Sequence, residues 1–186
     1  MLYFPHAAVK ENESPSINPE GSSSPEAAGP RTLTIALPQD VKSADLYAFN
    51  DHVSWMAFNN LYNGLFKRTP DGEIVPDLAE TMTSIDEKTW EITLKKDVTF
   101  HNGQAFTAED VKYSLERAAT DTTLLERSSY SSIKEVKVIE EHKVHIITEE
   151  PDPLLQGIIA RTSAVMYPKQ YIEEKGIETF NEHPIG

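Results

Sequence analysis

The sequence predicts a mixed α/β protein of the α+β kind, and three stretches carry that prediction. Trp90, Ile92 and Leu94 alternate with Glu91, Thr93 and Lys95, the period of two expected of a half-buried strand. Residues 107–118 combine a capping residue with an amphipathic stripe, the pattern of a surface helix. Val136 and Val138, then Val144 and Ile146, alternate on either side of Glu140-Glu141-His142, which predicts a hairpin with a polar turn.

The elements follow in order. Residues 1–31 set Pro5, Pro15, Pro19, Pro25 and Pro30 among Ser, Glu, Gly and Asn. So few apolar groups do not offset the ordering entropy, and the segment is expected to be a disordered leader or tether. Asn12-Glu13-Ser14 is a glycosylation triplet of a kind common by chance. Order is expected from Thr32, where Leu33, Ile35 and Leu37 alternate up to Pro38 as a strand. Residues 39–53 read as a polar loop. Ser54 then suits an N-cap, and Trp55, Phe58, Tyr62 and Leu65 recur at helical spacing as a core stripe. Pro70-Asp71-Gly72 is a hairpin turn, after which Ile74-Val75 can pair with what precedes it. Beyond the Trp90 strand, Val98 and Phe100 continue the alternation as a bend or second short strand. Asn102-Gly103 marks a turn, because both residues tolerate positive φ.

Thr107 is the expected N-cap of the next helix, with Asp110 at the capping-box position and Phe106 with Val111 as a hydrophobic staple. Glu109 and Asp110 suit its positive end, Arg117 its negative end, and Val111, Leu115 and Ala118 give its apolar stripe. Residues 120–132 read as a loop or short helix. Pro151-Asp152-Pro153 closes the hairpin region, and residues 154–160 form a short apolar helix. Pro168 at N1 and Gly176 at C′ bracket a helix over residues 169–175.

With 186 residues the chain suffices for one domain or a little more. A net charge of -13 argues against nucleic acid and anionic lipid as partners. The absence of cysteine excludes disulfides, cysteine zinc sites and thiol catalysis, and, for the chain as written, attachment of lipid to a cysteine. No apolar run approaches the ~20 residues of a membrane span. The opening MLYFPHAAVK lacks a basic n-region and a long apolar core, so it is not read as a signal peptide.

No Walker A, GxSxG or HExxH pattern occurs. His142-x-x-His145 with Glu140 and Glu141 has the residue types of a metal site. On a hairpin, however, these residues alternate faces, and a solvated tip is expected. His101 has no partner in sequence reach. The acid pairs Glu109-Asp110, Glu140-Glu141, Glu149-Glu150 and Glu173-Glu174 suit solvated faces. No catalytic residue, metal ligand or cofactor is therefore expected. A metal-dependent hydrolase rests only on His142, His145 and nearby acids.

Several motifs then occur together: Trp90-Glu-Ile-Thr-Leu-Lys95, Thr99-Phe-His-Asn-Gly103, Phe106-Thr-Ala-Glu-Asp-Val111 and Ser114-Leu-Glu-Arg117. They resemble, in the same order, the family 5 extracellular solute-binding proteins, the peptide- and nickel-binding receptors of bacterial ABC importers. Asn60-Leu-Tyr-Asn-Gly-Leu65, Val75-Pro-Asp-Leu-Ala-Glu80 and Val144-His-Ile-Ile-Thr148 with Pro151 agree as well. The resemblance covers residues 32–186.

The resemblance implies an incomplete periplasmic-binding-protein-like type II fold. Residues 32–66 and about 161–186 would be pieces of lobe I, and residues 67–160 the extra scaffold domain of this family. Family members are between two and three times as long, so the chain is expected to be truncated. Leu33, Ile35 and Val165 would then be unusually accessible where missing strands should pack. The resemblance also implies a non-enzymatic receptor, monomeric when complete, that closes two lobes around a peptide or similar small solute outside the cytoplasm. It would deliver that solute to a membrane permease. In peptide-binding members, lobe I supplies a loop just before the Tyr-x-Gly-Leu helix. That loop falls here on Asn50, Asp51 and His52, the expected ligand contacts, while the same residues could simply cap the helix through Asp51 or Ser54. The Trp90–Arg117 motifs are expected to be scaffold. A stand-alone interaction module is the other reading.

Overall fold

Backbone hydrogen bonds draw residues 79–148 into one antiparallel sheet backed by a single long helix. The computed structural model describes residues 34–186, of which Leu37–Gly186 form one compact unit. In chain order the elements are α1 (His52–Phe58), β1 (Phe66–Arg68), β2 (Ile74–Pro76), β3 (Ala79–Ser84), β4 (Thr89–Leu94), α2 (Ala108–Thr120), α3 (Arg127–Tyr130), β5 (Ile133–Glu140), β6 (Lys143–Thr148), α4 (Leu155–Ile158), α5 (Lys169–Lys175) and α6 (Ile177–Glu182). The leader, the Asn12 triplet and Leu33 lie outside the described residues.

The sheet order is β3-β4-β6-β5, with β1 and β2 forming a separate two-stranded ribbon. Ile92 pairs with Val144 and Trp90 with Ile146 across β4 and β6. The period of two then sends Ile92, Leu94, Val144, Ile146 and Val136 inward, where all are buried. They share one core with Val111, Leu115 and Ala118 of α2. Glu91 and His145, directly paired, occupy the opposite face and are half-buried.

The local signals for α2 are met. Thr107 accepts a hydrogen bond from the Glu109 N–H, Asp110 accepts from the Thr107 N–H, and Phe106 and Val111 are buried. The Pro70-Asp71-Gly72 ribbon and the β5–β6 hairpin also form as expected. Gly176 ends α5 at φ 85°, and Pro168 occupies the N-cap rather than N1.

Three of the expected elements differ. Residues 34–37 form no strand. The helix carrying Trp55 begins at His52 with Asp51, not Ser54, as its N-cap, and it stops at Phe58. Asn59 and Asn60 are poor helix formers, and the Asn60 amide donates back to the Met56 carbonyl, so Tyr62 and Leu65 reach the core from outside the helix. Of the two readings for Val98 and Phe100 the bend holds, at Lys96-Asp97, and the second strand does not; a single bridge between Thr99 and Ala105 closes the His-Asn-Gly turn. Finally, of residues 39–53 the last two belong to α1, and residues 39–51 are irregular but not a surface loop throughout, because Ala44, Asp45, Leu46 and Tyr47 are buried.

That buried stretch belongs to an aromatic cluster. Tyr47 meets Tyr130 and Tyr167 edge-on at centroid distances of 5.3 and 5.5 Å, and Tyr167 meets Phe180 at 5.1 Å. The Tyr47 hydroxyl donates to the Val165 carbonyl at 2.8 Å, and the Tyr167 hydroxyl accepts from the Leu46 N–H at 2.7 Å. Val165 also bridges Gly64. It is therefore 3% exposed, against the expected accessibility, whereas Ile35 is 67% exposed.

Candidate functional site

One face of α2 holds together segments distant in sequence. Asp110, Ser114 and Arg117 stand at helical spacing on that face. The Asp110 carboxylate accepts from the Lys169 N–H at 2.9 Å, and the Ser114 hydroxyl accepts from the Tyr167 N–H at 2.9 Å. Arg117 Nη2 donates to Asp45 Oδ2 at 2.6 Å. Burial pushes the Asp110 carboxyl above its ordinary value, against the Thr107 and Lys169 N–H bonds that favour the anion. These polar groups tie α2 to the segments around Asp45, Tyr167 and Lys169.

The loop ahead of α1 is built differently. Asn50 and His52 are exposed, and Asp51 is buried. Asp51 Oδ2 accepts from the Ser54 N–H at 3.1 Å and the Ser54 hydroxyl at 2.6 Å, while Oδ1 accepts from Gln39 at 3.0 Å. The Ser54 hydroxyl in turn accepts from the Lys42 N–H. Asp51 thus pins the loop and caps the helix, leaving Asn50 and His52 to present side chains. The His52 ring lies 5.9 Å from that of Trp55.

The Ser54 hydrogen bond, opposed by burial, holds the Asp51 carboxyl below its ordinary range. A depressed folded pKa gives stability that is present above the unfolded carboxylate pKa and lost as pH falls through the folded value. Asn in place of Asp51 keeps a cap without the charge. The stability gap between wild type and Asp51→Asn is therefore expected to be widest at neutral pH and to shrink toward acid. Melting temperatures measured from pH 7 downward check this; a gap independent of pH would contradict it.

Trp55 leads into a cleft that the sequence does not announce. One hollow of about 220 Å³ is lined by Trp55, Arg68, Arg161, Thr162 and Ser163. A neighbouring one of about 310 Å³ adds Tyr62, Gly64, Asp77 and Val165 to the same two arginines. A third, of about 630 Å³, runs from Arg68 and Arg161 along Leu154 to Ile158. Arg161 Nη2 donates to Glu126 Oε2 at 2.8 Å, and Glu126 is 3% exposed. The Ser163 hydroxyl donates to the same carboxylate and meets the Tyr130 hydroxyl at 3.2 Å, which anchors this wall in the core. A single arginine between the apolar runs 158–160 and 164–166 was the available sequence signal for Arg161.

The residues considered for metal chemistry do not converge. His145 Nε2 lies 3.0 Å from Glu91 Oε2 on the outer face of the sheet, while His142 sits at the turn with Glu141 3.9 Å away. Among the described residues no three His, Cys, Asp or Glu side chains could hold an ion. His101 faces the chain end, where its Nδ1 accepts from the Gly186 N–H at 3.1 Å. Among the described residues no helix is long and apolar enough to cross a membrane.

The family model described as bacterial extracellular solute-binding proteins, family 5 Middle, matches residues 73–186. The glutathione-binding protein GsiB of Salmonella choleraesuis is 31% identical over 162 residues, which are 86% of this chain and 31% of that protein. The structure of NikZ from Campylobacter jejuni with Ni(L-His) superposes with a TM-score of 0.70 at 26% identity, over 81% of this chain and 30% of that one. The oligopeptide-binding protein AppA from Bacillus subtilis, solved with a nonapeptide, gives 0.71 at 25% identity, over 78% and 30%. The chain thus spans about a third of the length of the relatives it matches, of which GsiB and AppA are named as binding proteins.

Proposed function

The chain belongs to the bacterial extracellular solute-binding proteins of family 5, and on that premise we propose that it serves the substrate-binding component of an ABC importer. The whole protein would take up a peptide or similar small solute outside the cytoplasm and hand it to a membrane permease, without covalent chemistry. In this reading residues 32–66 and about 161–186 contribute to lobe I, and residues 67–160 form a scaffold domain. The ties from α2 to Asp45, Tyr167 and Lys169 suit that division, because they hold lobe segments on a rigid support.

The observation that carries the proposal is the open cleft beside α1, bordered by the loop Asn50-Asp51-His52 through the contact of His52 with Trp55. Asn50 and His52 would touch the solute, and Asp51 would fix their loop. Two-lobed receptors close over their cargo, so one wall alone is expected to bind weakly.

Weak binding calls for a method that localises it. Nitrogen-15 correlation spectra of the protein, titrated separately with trialanine, glutathione and nickel–histidine, are expected to show shifts confined to residues 50–55 and the Arg68–Arg161 cleft for at least one probe. Shifts gathered on the Glu91–His145 face, or none with any probe, would overturn the reading.

A further inference from the structure

Arg68 lines all three hollows of the cleft, yet among the described residues it has no carboxylate partner. Among the described residues no acid lies within ion-pair distance of it. Among the described residues its side chain makes one hydrogen bond, from Nη1 to the Gly72 carbonyl, and that is long at 3.4 Å. A Cβ at Gly157 would stand 3.3 Å from Arg68 Nη2, so the glycine leaves the room in which the guanidinium lies along the wall. Arg161 stands beside it with its charge matched by Glu126, its Nε buried without an acceptor, and its side chain still 40% exposed. Asp77, the acid that lines the cleft, is engaged by Lys67 Nζ at 3.2 Å and the Asn63 amide at 2.8 Å. In a chain of net charge -13, this wall therefore carries an uncompensated cation.

We infer that the cleft holds a carboxylate-binding subsite in which Arg68 is the specificity-determining residue. Guanidinium presents paired N–H donors in the geometry of a carboxylate, and such charge-assisted bonds are about twice as strong as neutral ones. Arg161 contributes the edge that Glu126 does not occupy, and Glu126 keeps it in place. The cleft thereby selects solutes bearing an anionic end over their neutral analogues. The identity of the solute as a peptide rests on the reading above; the anion subsite does not.

The test uses three probes at low ionic strength: trialanine, trialanine amide and citrate. The observed signals are the Arg68 side-chain Nε–H, the Trp55 indole N–H and the amides of residues 50–52. Trialanine and citrate are expected to move the Arg68 signal, and trialanine amide is not. In Arg68→Gln the affinity for trialanine is expected to fall at least about tenfold, the low end for losing a hydrogen bond to a charged group, with the amide unaffected. Arg68→Lys, which keeps the charge but not the fork, should fall between the two. Arg68 is exposed, and an unchanged spectrum elsewhere verifies the fold of each variant.

If both peptides shift residues 50–52 equally while Arg68 is unmoved, the subsite is refuted and the peptide reading stands. If citrate titrates Arg68 while neither peptide moves the loop, the subsite stands and the peptide reading falls. Silence at Arg68 with every probe refutes the subsite.

Discussion

Replacing Arg117 by alanine is expected to lower stability by about 3–5 kcal/mol, the usual cost of breaking a buried ion pair from one side. The Arg117 side chain is 16% exposed and that of Asp45 is 2% exposed, with 2.6 Å between Nη2 and Oδ2. Burial works against the guanidinium charge, but the Asp45 carboxylate outweighs it and raises the Arg117 pKa. Without Arg117, Asp45 keeps its bonds to the N–H of Tyr47 and, through its own N–H, to Ser43 and Asn181, which do not neutralise a buried carboxylate. The pair itself need not be strongly stabilising, since a buried pair replaced by apolar groups is often neutral. Arg117→Met combined with Asp45→Leu is therefore expected to lose less than Arg117→Ala alone. Urea midpoints of the two singles and the double variant decide this. A loss below about 1 kcal/mol for Arg117→Ala, typical of exposed pairs, would mean that water screens the pair.

This pair also marks the limit of what the sequence discloses. The helix from Thr107, the Trp90 strand and the hairpin at Val136 to Ile146 are legible because their determinants are local: a cap, a staple and a period. Asp45 lies in a polar stretch and reads as loop. Its burial is decided by an arginine 72 residues later. Ser54 and Asp51 are both good capping residues, and what separates them lies elsewhere in the chain: Gln39 donates to the Asp51 carboxylate, while the Ser54 hydroxyl is taken up by the Lys42 N–H and by Asp51 itself.

Among the family-like motifs, spacing on α2 could be read, but not that Asp110, Ser114 and Arg117 each fasten another segment. Asn50, Asp51 and His52 came from resemblance. The structure adds that Asp51 is consumed by the fold while its neighbours are exposed. Arg68 and Arg161 were missed for a different reason. They meet only because the ribbon of β1 and β2 and the segment after α4 flank the same cleft.

Gly64 joins the core to that cleft, and Gly64→Ala is the second large effect expected. Its Cβ would lie 2.6 Å from the Ala164 carbonyl oxygen and 3.1 Å from that of Phe66. Both are backbone atoms, so no side chain can swing away. The Gly64–Val165 bridge would have to open, and with it the neighbouring hydrogen bonds from Met166 N–H to Asn63 and from Leu78 N–H to Gly64. Overpacking of this kind costs about 1–3 kcal/mol. The disturbance is directional, because Val165 accepts the Tyr47 hydroxyl bond and lines the cleft between Gly64 and Arg161. The variant is therefore expected to melt earlier and to shift amides at residues 163–167 and Tyr47, with β5 and β6 unmoved. Gly72→Ala provides the contrast. Gly72 has φ 87° and nothing within 4 Å of its Cβ position, so only turn strain is introduced and the cleft signals should stay in place. A Gly64→Ala protein with wild-type melting and unshifted signals at residues 163–167 would mean that these backbones separate freely. The cleft would then lack the rigid floor that its selectivity requires.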